Sequence, residues 1–196
     1  GSLAHLFGYH FLCLTSVHLF GSPQQKEKYY KETAENNLFW GNTYNPLDES
    51  LLVKREGDQL KLIGKKSFCS GAKDSDRLLI SAKSPNQDRP VIAVIPTNRT
   101  GIIINDDWDS FGQRQTDSGT VVFQDVLLKE EEILTFYEQE PESFFPTIRT
   151  HTAQTILVHV LLGIAEGAFE EAKNYTKNIT RPWLTSKVDQ ATSDPY

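Results

Sequence analysis

The sequence predicts an α+β fold in which helices come first, a β domain follows and a further helix closes the order. Three observations support this. Residues 3–20 are apolar nearly all round a helical repeat, and short strand-like runs separated by Gly, Pro, Asn and Asp fill the middle of the chain. Residues 147–178 have the apolar spacing of one long helix. The order helix, strand, helix indicates separate layers rather than alternating βαβ units.

Residues 1–37 are predicted to be the end of an N-terminal helical domain. A helix over 3–20 that is apolar on most sides must be buried by several neighbours. A second, polar helix is expected to follow. Ser22 is its N-cap, Pro23 takes its first position, and Gln25 closes a capping box.

Residues 38–130 are predicted to form the β domain. Strand-like runs at 51–55 and 60–63 flank Glu56-Gly57-Asp58-Gln59, which is a hairpin signal. The other strand candidates are 66–70, 77–82, 91–96, 101–104, 119–124 and 126–128. Several short strands at such spacing predict an antiparallel barrel or a sandwich.

Residues 131–146 are acidic and are predicted to be a linker, and 147–196 the first part of a C-terminal helical domain. The long helix has a wide apolar face and little chain after it to cover that face, so further helices are expected to pack there. The chain has no Met and begins within a helical pattern. It is therefore expected to be an internal piece of a longer protein.

Composition narrows the possible partners and the compartment. The net charge is -6, with 26 acidic and 20 basic residues, and no basic block is present, which argues against nucleic acid and anionic membranes. No apolar run is expected to reach the roughly 18 residues that span a bilayer. Cys13 and Cys69 are predicted to be buried, reduced thiols of a cytoplasmic protein. No His, Cys and Asp cluster has metal-ligand spacing.

The segment 67–72, Ser-Phe-Cys-Ser-Gly-Ala, is the most informative motif. Its small residues let a backbone come very close to a flat ligand. Ser70 supplies a hydroxyl, and Trp108 in the segment 105–108 supplies a planar surface. An aromatic ring system with polar edges, such as a flavin, fits these features. Trp108 could instead plug one end of a barrel.

The order of the motifs resembles the acyl-CoA dehydrogenase superfamily, and within it the flavin-dependent sulfur monooxygenases typified by dibenzothiophene monooxygenase. The resembling segments are 1–10, 68–73, 105–108, 114–119, 162–168, 181–183 and 190–196. They follow one another along the whole chain, so coincidence is a poor explanation.

The resemblance implies a subunit with N-terminal helices, a central antiparallel β-barrel and a C-terminal helical bundle that makes a homotetramer. Reduced FMN, supplied by a flavin reductase, would lie between barrel and bundle. The implied reaction uses O₂ to oxygenate a small apolar, sulfur-containing substrate, and the protein holds the flavin and excludes water.

The resemblance also assigns site residues. The implied catalytic side chains are His5, Tyr9, Asn42 and Ser70. The implied cofactor contacts are Asn42, Ser70, Gly71 and Trp108. Residue chemistry alone favours core positions for both His5 and Tyr9, and only the resemblance makes a catalytic role for His5 an equal alternative. His10 is expected to be structural, and Arg114 to anchor a turn through a carboxylate, with Asp117 as the candidate.

One segment departs from the pattern of the sulfur monooxygenases. Residues 43–47, Thr-Tyr-Asn-Pro-Leu, replace a more polar loop that shapes the substrate pocket, which argues against dibenzothiophene itself as the substrate. Two alternatives stay open. One is an acyl-CoA dehydrogenase that oxidises a thioester with FAD, and the other is a relative without catalytic activity.

Overall fold

The computed structural model describes residues 1–85, 89–134 and 145–194. Within these ranges it contains the helices α1 (Ser2–Phe20), α2 (Pro23–Asn36) and α3 (Phe145–Asn178). The strands are β1 (Trp40–Thr43), β2 (Leu51–Glu56), β3 (Gln59–Lys66), β4 (Arg77–Ala82), β5 (Val91–Pro96), β6 (Ile102–Ile104) and β7 (Val121–Leu128). Short 3₁₀ turns lie at Arg114–Thr116, Glu130–Glu132 and Ala191–Ser193.

The predicted start of α2 is confirmed in its hydrogen bonds. The Gln25 backbone N–H donates to the Ser22 hydroxyl at 3.2 Å, and the Ser22 N–H donates to the Gln25 side-chain oxygen at 2.9 Å. Two amide groups that the first turn leaves without helical partners are satisfied in this way. The Gln25 amide also donates to the carbonyls of Glu131 and Ile133, which ties the helix to the end of the β domain.

The strands form two sheets, in the orders β1-β4-β5 and β2-β3-β7-β6. The β2–β3 hairpin and the strands β4 and β5 lie where the sequence predicts them. All pairings are antiparallel except that of β1 with β4, which is parallel. Only an isolated bridge between Leu52 and Lys83 joins the sheets, so the described residues contain no closed, hydrogen-bonded barrel.

Three strand predictions differ from the structure. A strand over 66–70 is wrong beyond Lys66, because Phe68 takes a left-handed conformation with φ 56° and the chain turns there. The runs 119–124 and 126–128 are one strand, β7, in which Asp125 has φ 51°. β1 was not predicted, since a four-residue strand that is buried on both faces shows no alternation of apolar and polar residues.

Apolar side chains form two buried clusters. The larger lies between the sheets and includes Leu62, Ile80 and Phe123. The second joins α1 and α2 to the other face of the β1-β4-β5 sheet, with Phe20 and Trp40 at its centre. Each fully buried large side chain contributes about 1.5–3 kcal/mol to folding. Both cysteines are buried and free, as predicted.

Two helix faces are apolar and exposed. In α1 the predicted burial on several sides is right only for the second half, because Leu3, Phe7 and Phe11 are exposed. α3 exposes apolar side chains along much of its length, including Val158, Leu161, Leu162 and Phe169. The predicted acidic linker falls largely on residues 135–144, outside the described residues.

The same two helices, Ser2–Phe20 and the segment Thr147–Asn178 of α3, are long and apolar enough to cross a membrane by length and composition alone. The expectation that no segment reaches this limit is therefore wrong, because apolar residues interspersed with small and polar ones still give a high mean hydropathy. Core helices of soluble proteins pass the same test, so this is weak evidence for a membrane. The absence of a membrane partner stays a prediction.

Candidate functional site

A cavity of about 670 Å³ opens between the first half of α1, the end of β1, the loops of the β domain and the first half of α3. This volume is within the range of small-molecule sites. Its walls are aromatic and aliphatic with a few polar groups. The lining residues include His5, Tyr9, Asn42, Tyr44, Asn45, Ser70, Trp108, Gln113, Thr116, Ser118 and Arg149.

The four predicted catalytic residues and Trp108 all line this one cavity. His5 and Tyr9 come from α1, Asn42 from β1, Ser70 from the turn after β3, and Trp108 from the loop before the 3₁₀ turn Arg114–Thr116. The fold thus brings together side chains that lie up to 103 positions apart in sequence, as His5 and Trp108 do. Their roles in catalysis stay predictions.

Gly71 is not among the cavity-lining residues. It has φ +69°, and a Cβ there would lie 3.0 Å from Leu6 Cδ2. A side chain there would be strained by the positive φ and would make the Leu6 and Phe39 side chains shift by a few tenths of an ångström. The structure gives Gly71 a role in the close packing of α1, while its predicted contact with the cofactor stays a prediction.

Backbone hydrogen bonds fix the position of Ser70. The Asn42 N–H donates to the Ser70 carbonyl at 3.0 Å, which ties the turn to β1. The Cys69 N–H donates to the Gly119 carbonyl at 3.0 Å, and the Gly71 N–H to the Thr116 carbonyl at 2.9 Å. The Ser70 turn is therefore held between β1 and the loop that carries Thr116 and Ser118.

The hydroxyls of Ser70, Ser118 and Thr116 form a row that we call the hydroxyl chain. His5 Nε2 lies 3.2 Å from Ser70 Oγ, and Ser70 Oγ lies 2.7 Å from Ser118 Oγ. Ser118 Oγ lies 2.8 Å from Thr116 Oγ1, which is 2.8 Å from the Gln113 carbonyl oxygen. Sequence reasoning missed Thr116 and Ser118 as site residues, although both lie in the resembling segment 114–119.

His5 and Tyr9 stack in the wall of the cavity, with ring centroids 4.5 Å apart and planes inclined by 15°. Burial lowers the pKa of His5. Burial also raises the pKa of Tyr9, an effect that the positive charge of Arg149 opposes. Both side chains are therefore neutral near pH 7, and both offer hydrogen bonds without bringing a charge into the cavity.

Asn42 has an orphaned acceptor beside the cavity. Its side-chain oxygen is buried and has no hydrogen-bond partner within the described residues, and the residue is only 4% exposed. Burial of a polar atom without a hydrogen-bond partner costs folding free energy, so such an atom in a native structure needs an explanation. A ligand that donates a hydrogen bond in the cavity would supply the missing partner.

Arg149 is a site residue that the sequence analysis missed. It is buried at the start of α3, its guanidinium lies 3.6 Å from the centroid of the Tyr44 ring, and its Nε donates to Ser16 Oγ at 2.7 Å. It brings a positive charge to an otherwise mainly apolar wall. A single Arg near the start of a long apolar helix has no sequence signature that separates it from a surface residue.

The loop that departs from the family pattern does face the cavity, through Tyr44 and Asn45. The Lys66 side chain holds this loop in place. The Lys66 ammonium donates to the carbonyl oxygens of Asn45, at 2.8 Å, and Asp48. The expectation that this segment shapes the pocket agrees with its position.

Trp108 donates from its indole N–H to the Gln113 carbonyl at 3.0 Å and meets Phe68 edge to face.

His10 accepts a hydrogen bond from the Trp40 N–H at 3.3 Å, in keeping with the structural role predicted for it. The prediction that Arg114 pairs with Asp117 is wrong. The carboxylate beside Arg114 is that of Asp109, with Nη1 and Oδ1 3.7 Å apart. Asp117 takes a left-handed conformation and has one buried carboxylate oxygen.

Comparison with known proteins gives a consistent picture. Residues 44–126 match the family described as acyl-CoA dehydrogenase, middle domain. A probable FMNH2-dependent monooxygenase, SfnC, of Pseudomonas putida is 44% identical over 197 residues, which cover 100% of this chain and 49% of the relative. Dibenzothiophene monooxygenase of Rhodococcus erythropolis is 40% identical over 214 residues, with 100% and 50% covered. The chain thus spans about half the length of the curated relatives it matches.

Solved structures agree. Methanesulfinate monooxygenase MsuC from Pseudomonas fluorescens superposes with a TM-score of 0.90 at 45% identity, over 100% of this chain and 50% of that one. TdsC from Paenibacillus sp. A11-2, in complex with FMN and indole, gives 0.89 at 41% identity, over 100% and 52%. Glutaryl-CoA dehydrogenase from Mycobacterium smegmatis gives 0.70 at 21% identity, over 88% and 44%, which shows the fold alone. The predicted resemblance to this superfamily and its sulfur monooxygenases is confirmed.

Proposed function

We propose that the whole protein is a flavin-dependent monooxygenase that uses reduced FMN and O₂ to oxygenate a small, sulfur-containing compound. The observation that carries this proposal is the convergence of His5, Tyr9, Asn42, Ser70 and Trp108 on one cavity. Relatives named as monooxygenases are 40–45% identical across the whole chain, which supports the same reading. The dehydrogenase alternative has less support, because the glutaryl-CoA dehydrogenase neighbour is only 21% identical.

The residues present fit a flavin. The cavity of about 670 Å³ has room for a tricyclic ring, and Asn42 offers an unsatisfied acceptor in its wall. Trp108 and Tyr9 supply planar apolar surface, and Ser70 supplies a hydroxyl. When bound, reduced FMN supplies the electrons that activate O₂. Asn42, Ser70, Gly71 and Trp108 are the residues we propose for holding it.

The protein side chains contribute position, polarity and the exclusion of water. The stacked, neutral pair His5 and Tyr9 closes one wall without adding charge. The Asn42 amide can donate a hydrogen bond to a reacting oxygen without being titrated. Arg149 places a fixed positive charge where a polar or anionic end of a sulfur compound could lie. Water excluded from such a site strengthens each of these interactions.

The whole protein is proposed to have three domains, to form a homotetramer and to depend on a separate reductase. We propose that the two sheets belong to a central β-barrel domain over residues 38–130, between helices over 1–37 and a helical bundle that begins at 147. Helices of that bundle would cover the exposed apolar face of α3, and the bundle would assemble a homotetramer. A separate flavin reductase would supply reduced FMN, and the protein would be cytoplasmic.

Single-turnover oxidation of the full-length protein tests the proposed activity. The protein is loaded anaerobically with reduced FMN and mixed with O₂ and a sulfide, a sulfone or an alkanesulfinate, and both oxygenated product and H₂O₂ are measured. We expect product in near-stoichiometric yield with at least one sulfur class. Stoichiometric H₂O₂ with every class, together with anaerobic reduction of bound flavin by an acyl-CoA, would replace the proposal with the dehydrogenase reading.

A further inference from the structure

The direction of the hydroxyl chain can be worked out from its fixed end. The Gln113 carbonyl oxygen can only accept, and Thr116 Oγ1 lies 2.8 Å from it, so the Thr116 hydroxyl proton points to that carbonyl. A hydroxyl has one proton to donate. The contact between Thr116 and Ser118 therefore has Ser118 as the donor.

The donors of the other two contacts in the hydroxyl chain follow in the same way. Because the Ser118 proton is used toward Thr116, the 2.7 Å contact between Ser118 and Ser70 has Ser70 as the donor. The Ser70 proton is then used as well, so the contact with His5 is a hydrogen bond from His5 Nε2–H to Ser70 Oγ. Every contact is satisfied in this direction only, and the His5 tautomer is fixed by it.

The Ser70 hydroxyl therefore has no proton left to donate to a ligand in the cavity. Its oxygen donates once, to Ser118, and accepts once, from His5, which leaves a single lone pair for the cavity that Ser70 lines. Toward a ligand, Ser70 can therefore act as an acceptor and not as a donor. Thr116, Ser118 and Ser70 are at most 5% exposed, so bulk water does not reorient them easily.

An acceptor that cannot donate distinguishes the two redox states of a flavin. Two-electron reduction adds a proton to a ring nitrogen that in the oxidised form is a bare acceptor. With that nitrogen placed toward Ser70, the reduced ring can donate a hydrogen bond to Ser70 Oγ, whereas the oxidised ring would set a nitrogen lone pair against an oxygen lone pair. The discrimination comes from a row of hydroxyls that ends at a backbone carbonyl.

We propose that Thr116 and Ser118 are positioning residues that hold Ser70 as a hydrogen-bond acceptor, so that the cavity favours reduced over oxidised FMN. This inference rests on the proposed function, since it takes FMN as the ligand and places the ring nitrogen that is protonated on reduction next to Ser70. It leaves Asn42, and not Ser70, as the donor to a reacting oxygen. It also assigns a function to two residues that sequence reasoning did not select.

Dissociation constants of both redox states test the proposal without any turnover. Binding of oxidised FMN, and anaerobically of reduced FMN, is measured by fluorescence titration of the full-length protein. We expect the wild-type protein to bind reduced FMN about tenfold more tightly or better, which corresponds to one hydrogen bond gained and one repulsion avoided. The midpoint potential of bound flavin should rise by about 30 mV for each factor of ten.

Two substitutions should weaken the preference by different routes. Ser118→Ala removes the acceptor of the Ser70 proton, which is then free to turn to the ligand. Thr116→Val keeps the shape of threonine but frees Ser118 to donate toward Ser70, so the chain can reverse. Both should lower the ratio of the two dissociation constants by about three- to tenfold. Thr116→Ser keeps the hydroxyl and should retain the wild-type ratio.

Ser75→Ala is the matched control. Ser75 also belongs to a serine–threonine hydroxyl pair, at 2.9 Å from Thr97, but it does not line the cavity. It should leave the ratio unchanged. Equal affinity for both redox states, an unchanged ratio in both chain variants, or the same drop in Ser75→Ala would overturn this inference alone. Binding of neither form of FMN would overturn the proposed function, and the inference with it.

Discussion

At the scale of single residues, the site combines satisfied and unsatisfied polar groups in one wall. The hydroxyl chain has every contact accounted for, whereas the Asn42 side-chain oxygen has no partner within the described residues. A buried acceptor of this kind costs about 1–3 kcal/mol of folding free energy. Such a cost at a cavity is typical of a position kept for ligand binding rather than for stability.

Replacement of Asn42 should separate stability from binding. Asn42→Leu keeps a similar side-chain volume and removes the orphaned oxygen, so we expect the free energy of unfolding of the FMN-free protein to rise by about 1 kcal/mol. FMN affinity should fall about tenfold or more, because the ligand loses its partner. Urea unfolding and FMN titration check the two halves of this prediction.

Ser81→Ala provides the comparison. The Ser81 hydroxyl is also buried without a partner in the described part of the chain, but it lies in β4 away from the cavity. Its removal should raise stability and leave FMN binding unchanged. An Asn42→Leu protein that is less stable and binds FMN as the wild type does would contradict the assignment.

The predictability of the site residues differs for physical reasons. His5, Asn42 and Ser70 could be named because their motifs resemble a known family, and the structure brings them to one cavity. Ser118 and Arg149 could not be named. The role of Ser118 depends on a 2.7 Å contact with a residue 48 positions away, and that of Arg149 on the burial of one turn of a long helix. Neither property leaves a local pattern.

At the scale of elements, the loop between β1 and β2 depends on one buried lysine. Lys66, at the end of β3, is 2% exposed and donates to the carbonyls of Asn45 and Asp48. Burial lowers the pKa of Lys66, which the nearby Asp48 carboxylate opposes. Burial would raise the pKa of Asp48, but hydrogen bonds from Ser50 and Ser67 outweigh this effect and hold the pKa at about 2, so the carboxylate stays charged near the lysine.

Lys66→Met should loosen this loop. Two carbonyls would lose their donor, so we expect a loss of about 2–4 kcal/mol in the free energy of unfolding and faster amide exchange over residues 43–48. Substrate affinity should fall more than FMN affinity, because Tyr44 and Asn45 face the cavity from this loop. Hydrogen exchange by mass spectrometry and ligand titrations measure these effects.

The neighbouring Lys65→Met is the control, since Lys65 is exposed on the other face of the same strand. It should change neither exchange nor affinity. Equal exchange rates over 43–48 in both variants would show that the lysine does not hold the loop.

The elements themselves were predictable to the extent that their signals are local. β4 and β5 are buried apolar runs between turn residues, and α2 has a complete capping box, so all three were predicted close to their bounds. β1 was missed because it pairs in parallel with a strand over thirty residues away. The turn at Phe68 was missed because nothing in an aromatic residue predicts a positive φ.

At the scale of the whole molecule, the exposed apolar face of α3 decides how this chain should behave on its own. One wall of the cavity is α3, whose other residues Leu161, Leu162 and Phe169 are more than half exposed. A contiguous apolar surface of this kind marks an interface with further protein. The position of α3, and with it the cavity wall, therefore depends on what covers that face.

We expect the 196-residue chain alone to bind FMN at least tenfold more weakly than the full-length protein does. The physical reason is that α3 can shift when no further protein packs against its exposed apolar face. The cavity, one wall of which is α3, is then only partly preorganised. Parallel titrations of both proteins with reduced FMN measure the difference. Tight, stoichiometric binding by the chain alone would contradict the argument.

The parallel pairing of β1 with β4 also bears on the order of folding. The hairpins β2–β3 and β4–β5 close short loops, whereas β1 must find β4 across the whole segment 44–76, which contains one complete hairpin and the Ser70 turn. Long loops cost more entropy to close, so contacts of this kind form late. The hydrogen bond from the Asn42 N–H to the Ser70 carbonyl also needs β1 in place. A nascent chain should therefore acquire its hairpins before it acquires a binding cavity, and ligand can stabilise only the last step.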